Sequence, residues 1–183
     1  MNNYLTNPLE FLITTLISLY ILAVMLRFLL GVVRADFYNP VSQFLVRITN
    51  PLLVPLRKII PVIGKFDTAA VVLMLVLQLV SVFIVVSLRG ASVSFLNILL
   101  YTVGELFMLL INIFLVSVVV QVILSWISPS TYSPVSTLLY SLTNPILKPI
   151  QRVIPPLSGI DLSPMFAIIG LQVVRMLVMP LLH

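Results

Sequence analysis

The sequence predicts an all-α membrane protein: four transmembrane helices as two parallel tandem repeats, each with a proline-rich amphipathic connection lying at the interface. Three observations carry that expectation. Charged residues make up 8% of the chain and hydrophobic ones 61%, where a soluble domain carries about 25% charged residues. The apolar residues fall in blocks near the roughly 20 residues needed to cross the hydrocarbon. The chain also matches itself at a shift of 94 residues without a gap.

The first span is expected from about Leu9 to Val33, broken only by Arg27, and the second from about Ala69 to Leu88, with Gln78 its most polar residue. The stretch before Glu10 lacks the basic region of a cleavable signal, so the first block is expected to be retained as a helix. The apolar run from Phe95 to Ile127 is too long for one straight span and too short for two. Carrying the first span across the repeat places the third at about Thr102 to Ile127, with Ala91 to Tyr101 a connecting segment, and the fourth runs from about Pro164 to Leu182.

The register of the repeat is set by polar residues and prolines. Tyr38, Pro40, Thr49, Asn50, Pro51, Pro55, Pro61 and Asp67 fall on Tyr132, Pro134, Thr143, Asn144, Pro145, Pro149, Pro155 and Asp161. With only 13 prolines in the chain, their alignment is not a by-product of hydrophobic composition. The repeats are expected to span 1–90 and 91–183, entering the membrane in the same sense, so that both connections lie on one side.

Prolines 40, 51, 55 and 61 are expected to break each connection into short amphipathic pieces, such as Val41 to Ile48 and Leu52 to Ile60, because proline lacks an amide donor and restricts the residue before it. Such pieces suit the interface, apolar side inward. Arg47, Arg57, Lys58 and Lys65 in the first connection and Lys148 and Arg152 in the second are candidate headgroup-binding residues. Their excess over the opposite side, where Arg89 stands near the membrane, makes the connections cytoplasmic and both termini periplasmic. The Thr-Asn-Pro triplets read as helix-start signals, and Asp67 and Asp161 as N-caps of the second and fourth spans.

Ionisable and amide groups inside spans are functional candidates: Arg27, Gln78, Glu105, Gln121, Gln172 and Arg175. Arg27 is close enough to the basic end for its stem to carry the guanidinium to the headgroups. Glu105 and Arg175 are expected to pair in the outer half, either structurally or as part of a conducting path. Gln78 and Gln172, equivalent under the repeat, are expected to face each other, either as an interhelical hydrogen bond or as the polar lining of a pore.

No catalytic constellation is present. There is no cysteine, and the single histidine is His183, which excludes thiolate chemistry, histidine metal sites within one chain and a Ser-His triad. No cofactor, no metal and no nucleic-acid partner is expected; the basic balance of +5 sits beside apolar blocks, where anionic lipid headgroups are the natural partner.

The duplicated Thr-Asn-Pro-x-Leu-x-Pro pattern, with Asp-Phe-Tyr-Asn-Pro at 36–40, Pro-Leu-Arg-Lys-Ile-Ile-Pro at 55–61 and Gly-Ile-Asp-Leu-Ser-Pro at 159–164, resembles the bacterial YggT family, also called the YlmG family. The resemblance covers nearly the whole chain and implies a small inner-membrane protein of two repeats. It implies a link to hyperosmotic tolerance and uptake of potassium or other ions, and plastid relatives are tied to cytochrome assembly and membrane or nucleoid organisation. No catalytic residue is carried over. The first copy departs at Thr68-Ala69-Ala70, where the second has Leu162-Ser163-Pro164. The expected function is ion or osmotic homeostasis, directly or as an accessory, in a homo-oligomer; the alternative is a non-transporting scaffold whose basic connections bind anionic lipid or a division or assembly partner.

Overall fold

The computed structural model describes residues 3–64, 66–127, 133–155 and 161–182. Lys65 and Tyr132 lie outside them. The order is α1 (Asn3–Val32), α2 (Pro40–Arg57), α3 (Thr68–Leu88), α4 (Phe95–Ile127), α5 (Pro134–Val153) and α6 (Ser163–Val178), closed by a 3-10 helix at Met179–Leu182. Each half therefore repeats one sequence of elements: long apolar helix, amphipathic helix, apolar helix.

Helices α1, α3 and α4 are long and apolar enough to cross a membrane, while α6 is apolar but shorter, at 16 residues. Pro180 accounts for that end: without an N–H it cannot continue the i→i−4 ladder, and the chain tightens into the 3-10 turn. The third apolar run is a single helix of 33 residues. No separate segment at Ala91 to Tyr101 exists, because nothing from Phe95 onward breaks a helix; only residues 89–94 connect α3 to α4.

The connections also differ from the sequence expectation. Each is one continuous helix, 18 residues in α2 and 20 in α5, with Pro51 and Pro55, or Pro145 and Pro149, inside it. Pro40 and Pro134 occupy the first helical position, where a missing N–H costs nothing. The internal prolines recur at a spacing of four, so they stack on one face, and all four are exposed. The carbonyls they deprive of a donor therefore open outward rather than into the core. Asn39 caps α2 by accepting from Val41 N at 2.9 Å, and Ser133 forms a capping box with Ser136 on α5.

Helices α1, α3 and α4 pack on one another and α6 packs on α4, touching neither α1 nor α3. The two amphipathic helices meet each other, and α5 also reaches α1. Asn39 Nδ2 donates to the Pro134 carbonyl at 2.7 Å and ties the repeats at this junction. The main core joins Ile21, Val24, Leu53, Ala69, Ala70, Met74 and Ile113. A smaller cluster of Val118, Leu147 and Ala167 serves the second repeat.

Candidate site: a basic cleft at the junction of α1 and α2

Arg27 is placed on α1 about a turn and a half before its end, and α2 folds back across it. The side chain is buried, with 8% exposure. Its Nη1 donates to Thr49 Oγ1 at 2.6 Å and to the Val46 carbonyl at 3.4 Å. Thr49 is fully buried and passes its own proton to the Leu45 carbonyl at 2.6 Å. Arg27 is thus held between two helices rather than extended to the surface, because a hydroxyl and a carbonyl wait within reach. Thr49, expected as a helix start, lies in mid-helix; it is an interhelical polar anchor, as is Thr143.

A cleft of about 640 Å³ opens beside this anchor, lined among others by Arg27, Gln43, Arg47, Asn50, Arg57 and Asp67. Arg57 forms an ion pair with Asp67, whose carboxylate also accepts the Arg57 Nε–H at 3.4 Å. Asp67 has a second task, accepting from Ala70 N at 3.4 Å as the N-cap of α3. Phe28, which lines the cleft, stacks on Phe66 at a centroid distance of 6.3 Å. Three guanidinium groups and one carboxylate line the cleft, which leaves it electropositive.

The same frame recurs in the second repeat with its three arginines replaced by neutral residues and its carboxylate kept. The position equivalent to Arg27 is Gln121, whose amide meets Thr143, and Thr143 donates to the Leu139 carbonyl at 2.9 Å. The position equivalent to Arg57 is Gln151, whose Nε2 donates to Asp161 Oδ2 at 2.9 Å. Arg47 becomes Ser141. Asp161 also accepts from Ser163 N at 2.9 Å. Partial desolvation pushes its carboxyl up, but the hydrogen bonds from Ser163 and Gln151 outweigh that and hold it below the usual carboxylate range. Sequence reasoning singled out Gln121 but missed Gln151; carrying Arg57 across the repeat would have found it.

Lys58, Lys148 and Arg152 are exposed, on or just beyond the amphipathic helices, and do not line the cleft. At the other end of the molecule Arg89 pairs with Glu10, Nε to Oε2 at 3.2 Å. That pair and Gln78 line a second cleft, together with Thr14, Ser18 and Ser81. Gln78 does not face Gln172, since α3 and α6 do not touch.

Glu105 and Arg175 do not pair; the ion pairs among the described residues are Arg57–Asp67 and Arg89–Glu10. The register gives the reason. Carried across the repeat, the level of Glu10 and Arg89 corresponds to positions 104 and 183, so Arg175 sits about seven residues short of Glu105, roughly 10 Å along the helix.

The family model described as CCB3/YggT matches residues 6–88 and 100–182, two segments offset by the same 94 residues. An uncharacterized Pseudomonas aeruginosa protein is 43% identical over 170 residues, 92% of this chain and 86% of its own. An uncharacterized Vibrio alginolyticus protein is 40% identical over 176 residues, covering 91% and 90%. Escherichia coli K12 YggT is 38% identical over 174 residues, covering 93% and 88%. No solved structure matches the chain.

Proposed function

The chain belongs to the CCB3/YggT family, and from that premise we propose that it is a membrane-embedded scaffold whose paired amphipathic helices form a platform for anionic lipid. In this reading α6 and its 3-10 extension form the fourth span: together they rise about 32 Å, close to a hydrocarbon thickness of about 30 Å. Both repeats then enter in the same sense, with α2 and α5 on the cytoplasmic face of a bacterial inner membrane and both termini outside.

One observation carries the proposal. Helices α1, α3 and α4 pack on one another and α6 adds to α4, so that α1 and α6 do not meet, whereas α2 and α5 lie in contact at one end. A single chain so built offers a continuous amphipathic surface, and its fourth apolar helix closes no ring with the first. Exposed apolar side chains on that surface, Phe44, Leu52 and Val54 on α2 and Val135 and Tyr140 on α5, stand among Arg47, Lys148 and Arg152. Such a mixture suits the headgroup boundary.

Trp126, the single tryptophan, is 81% exposed at the end of α4 that leads to α5. Brominated lipids can therefore read the composition around the platform. Brominated phosphatidylglycerol should quench Trp126 more strongly than brominated phosphatidylcholine, and salt should shrink the difference. Equal quenching by the two lipids would sink the platform.

Ion or osmotic homeostasis is the second reading. The polar cleft of Glu10, Ser18, Gln78 and Ser81 favours it, with a conducting path supplied by a homo-oligomer. Potassium flux in proteoliposomes, with and without an osmotic gradient, separates the two. Flux above that of empty vesicles would move the assignment to transport.

A further inference from the structure

We infer that the cleft of the first repeat is a single stoichiometric binding site for a phosphate group, and that the second repeat retains its frame without the site. The inference rests on the reading that this end of the molecule faces anionic headgroups, and adds to it one defined pocket with one ligand chemistry.

The electrostatics point to an anion as the ligand. Arg27 is more than nine-tenths buried, and its bonds run to a hydroxyl and a carbonyl, which accept protons but cancel no charge. Asp67, the carboxylate lining the cleft, is engaged by Arg57 and by the first turn of α3. Three guanidinium groups against one carboxylate leave two positive charges on the walls. A buried cation without a counter-ion is costly, and the planar guanidinium fork suits phosphate oxygens. Gln43 and Asn50 add amide donors to the same walls.

The second repeat supplies an internal control. Gln121, Ser141 and Gln151 replace the three arginines, while the contacts to Thr143 and Asp161 persist. The charges are therefore not required to join the helices. Their confinement to one copy is what a binding site would demand and a purely architectural role would not.

The phosphate can come from a lipid headgroup or from solution, and one experiment distinguishes them. The purified full chain in neutral detergent is titrated with phosphatidylglycerol, with phosphatidylcholine of the same acyl chains, and with inorganic phosphate, and bound molecules are counted by native mass spectrometry. The wild type should hold one phosphatidylglycerol at least about tenfold more tightly than phosphatidylcholine. The double variant Arg27→Gln and Arg57→Gln, which installs the residues of the second repeat and so keeps the helix contacts, should bind the two lipids alike. Arg89→Gln, at the opposite end of the molecule from the cleft and the platform, should leave the wild-type count unchanged.

Binding of inorganic phosphate by the wild type and not the double variant, with displacement of the lipid, assigns the site to soluble phosphate. Lipid retained against inorganic phosphate assigns it to a headgroup. Equal phosphatidylglycerol binding by the wild type and a double variant of unchanged helicity overturns the site. The platform would survive that result if Trp126 kept its preference for anionic lipid, so the two failures can be told apart.

Discussion

The two repeats hold the same helices at the same joints, yet three arginines of the first are neutral residues in the second. In the first, Arg27 reaches Thr49 and Arg57 reaches Asp67; in the second, Gln121 meets Thr143 and Gln151 reaches Asp161. A glutamine amide both donates and accepts: Gln151 donates to Asp161 as Arg57 does to Asp67, while Gln121 accepts from Thr143 where Arg27 donates to Thr49, so the fold tolerates the exchange at both joints. What it cannot reproduce is the positive field. Architecture and charge are thus separable, and the pair of repeats separates them within one chain.

The core differs too, and there the largest effect is expected. Leu53 is fully buried in the main cluster, while its equivalent Leu147 belongs to the smaller one. Leu53→Ala should cost about 4 kcal/mol and Leu147→Ala about 2 kcal/mol, because a cavity in the smaller cluster collapses more readily. Chemical denaturation in detergent measures both, and equal losses would break the contrast.

The threonines sharpen it next. Thr49→Val removes the acceptor of a buried charge and should destabilise by about 2 kcal/mol, whereas Thr143→Val leaves a neutral amide and should cost about 1 kcal/mol. If thermal melting ranks them the other way, the Arg27 tether is not the stronger joint.

Smaller still is the outer joint. The Arg57 and Asp67 side chains are 35% and 17% exposed, so Arg57→Gln should cost no more than about 1 kcal/mol. Gln151→Arg should recover a similar amount by giving Asp161 an ion pair. A destabilising Gln151→Arg would show that the second frame cannot accept the charge.

The least effect concerns pH. The folded carboxyl of Asp161 is depressed, so its contribution is present above the usual carboxylate range near about 4 and is lost as pH falls through the lower folded value. Gln151→Leu removes one of the bonds responsible. Its melting temperature should lie below that of the wild type near neutrality and converge with it in acid; a gap that persists at low pH would detach Gln151 from the ionised form.

Much of the candidate site was legible in the residues, though not its assembly. Arg27, Thr49, Arg57 and Asp67 each stand out in the sequence, but as a snorkelling cation, a cap, a surface charge and a helix start. Only Asp67 serves as expected. Arg27 and Thr49 are 22 residues apart, and no periodicity reports that α2 folds back to bring them together.

Sequence by itself determined the apolar character of the long helices and the doubling of the chain, because span length and proline register are properties of one dimension. Tertiary structure alone decided that α2 and α5 run unbroken through their prolines, which depends on those residues facing outward where orphaned carbonyls are tolerated. It alone decided that α3 and α6 stay apart, which dissolves the expected Gln78–Gln172 contact. It alone gathered three arginines around one carboxylate, since charges distant along a chain acquire a common field only when packing fixes the space between them.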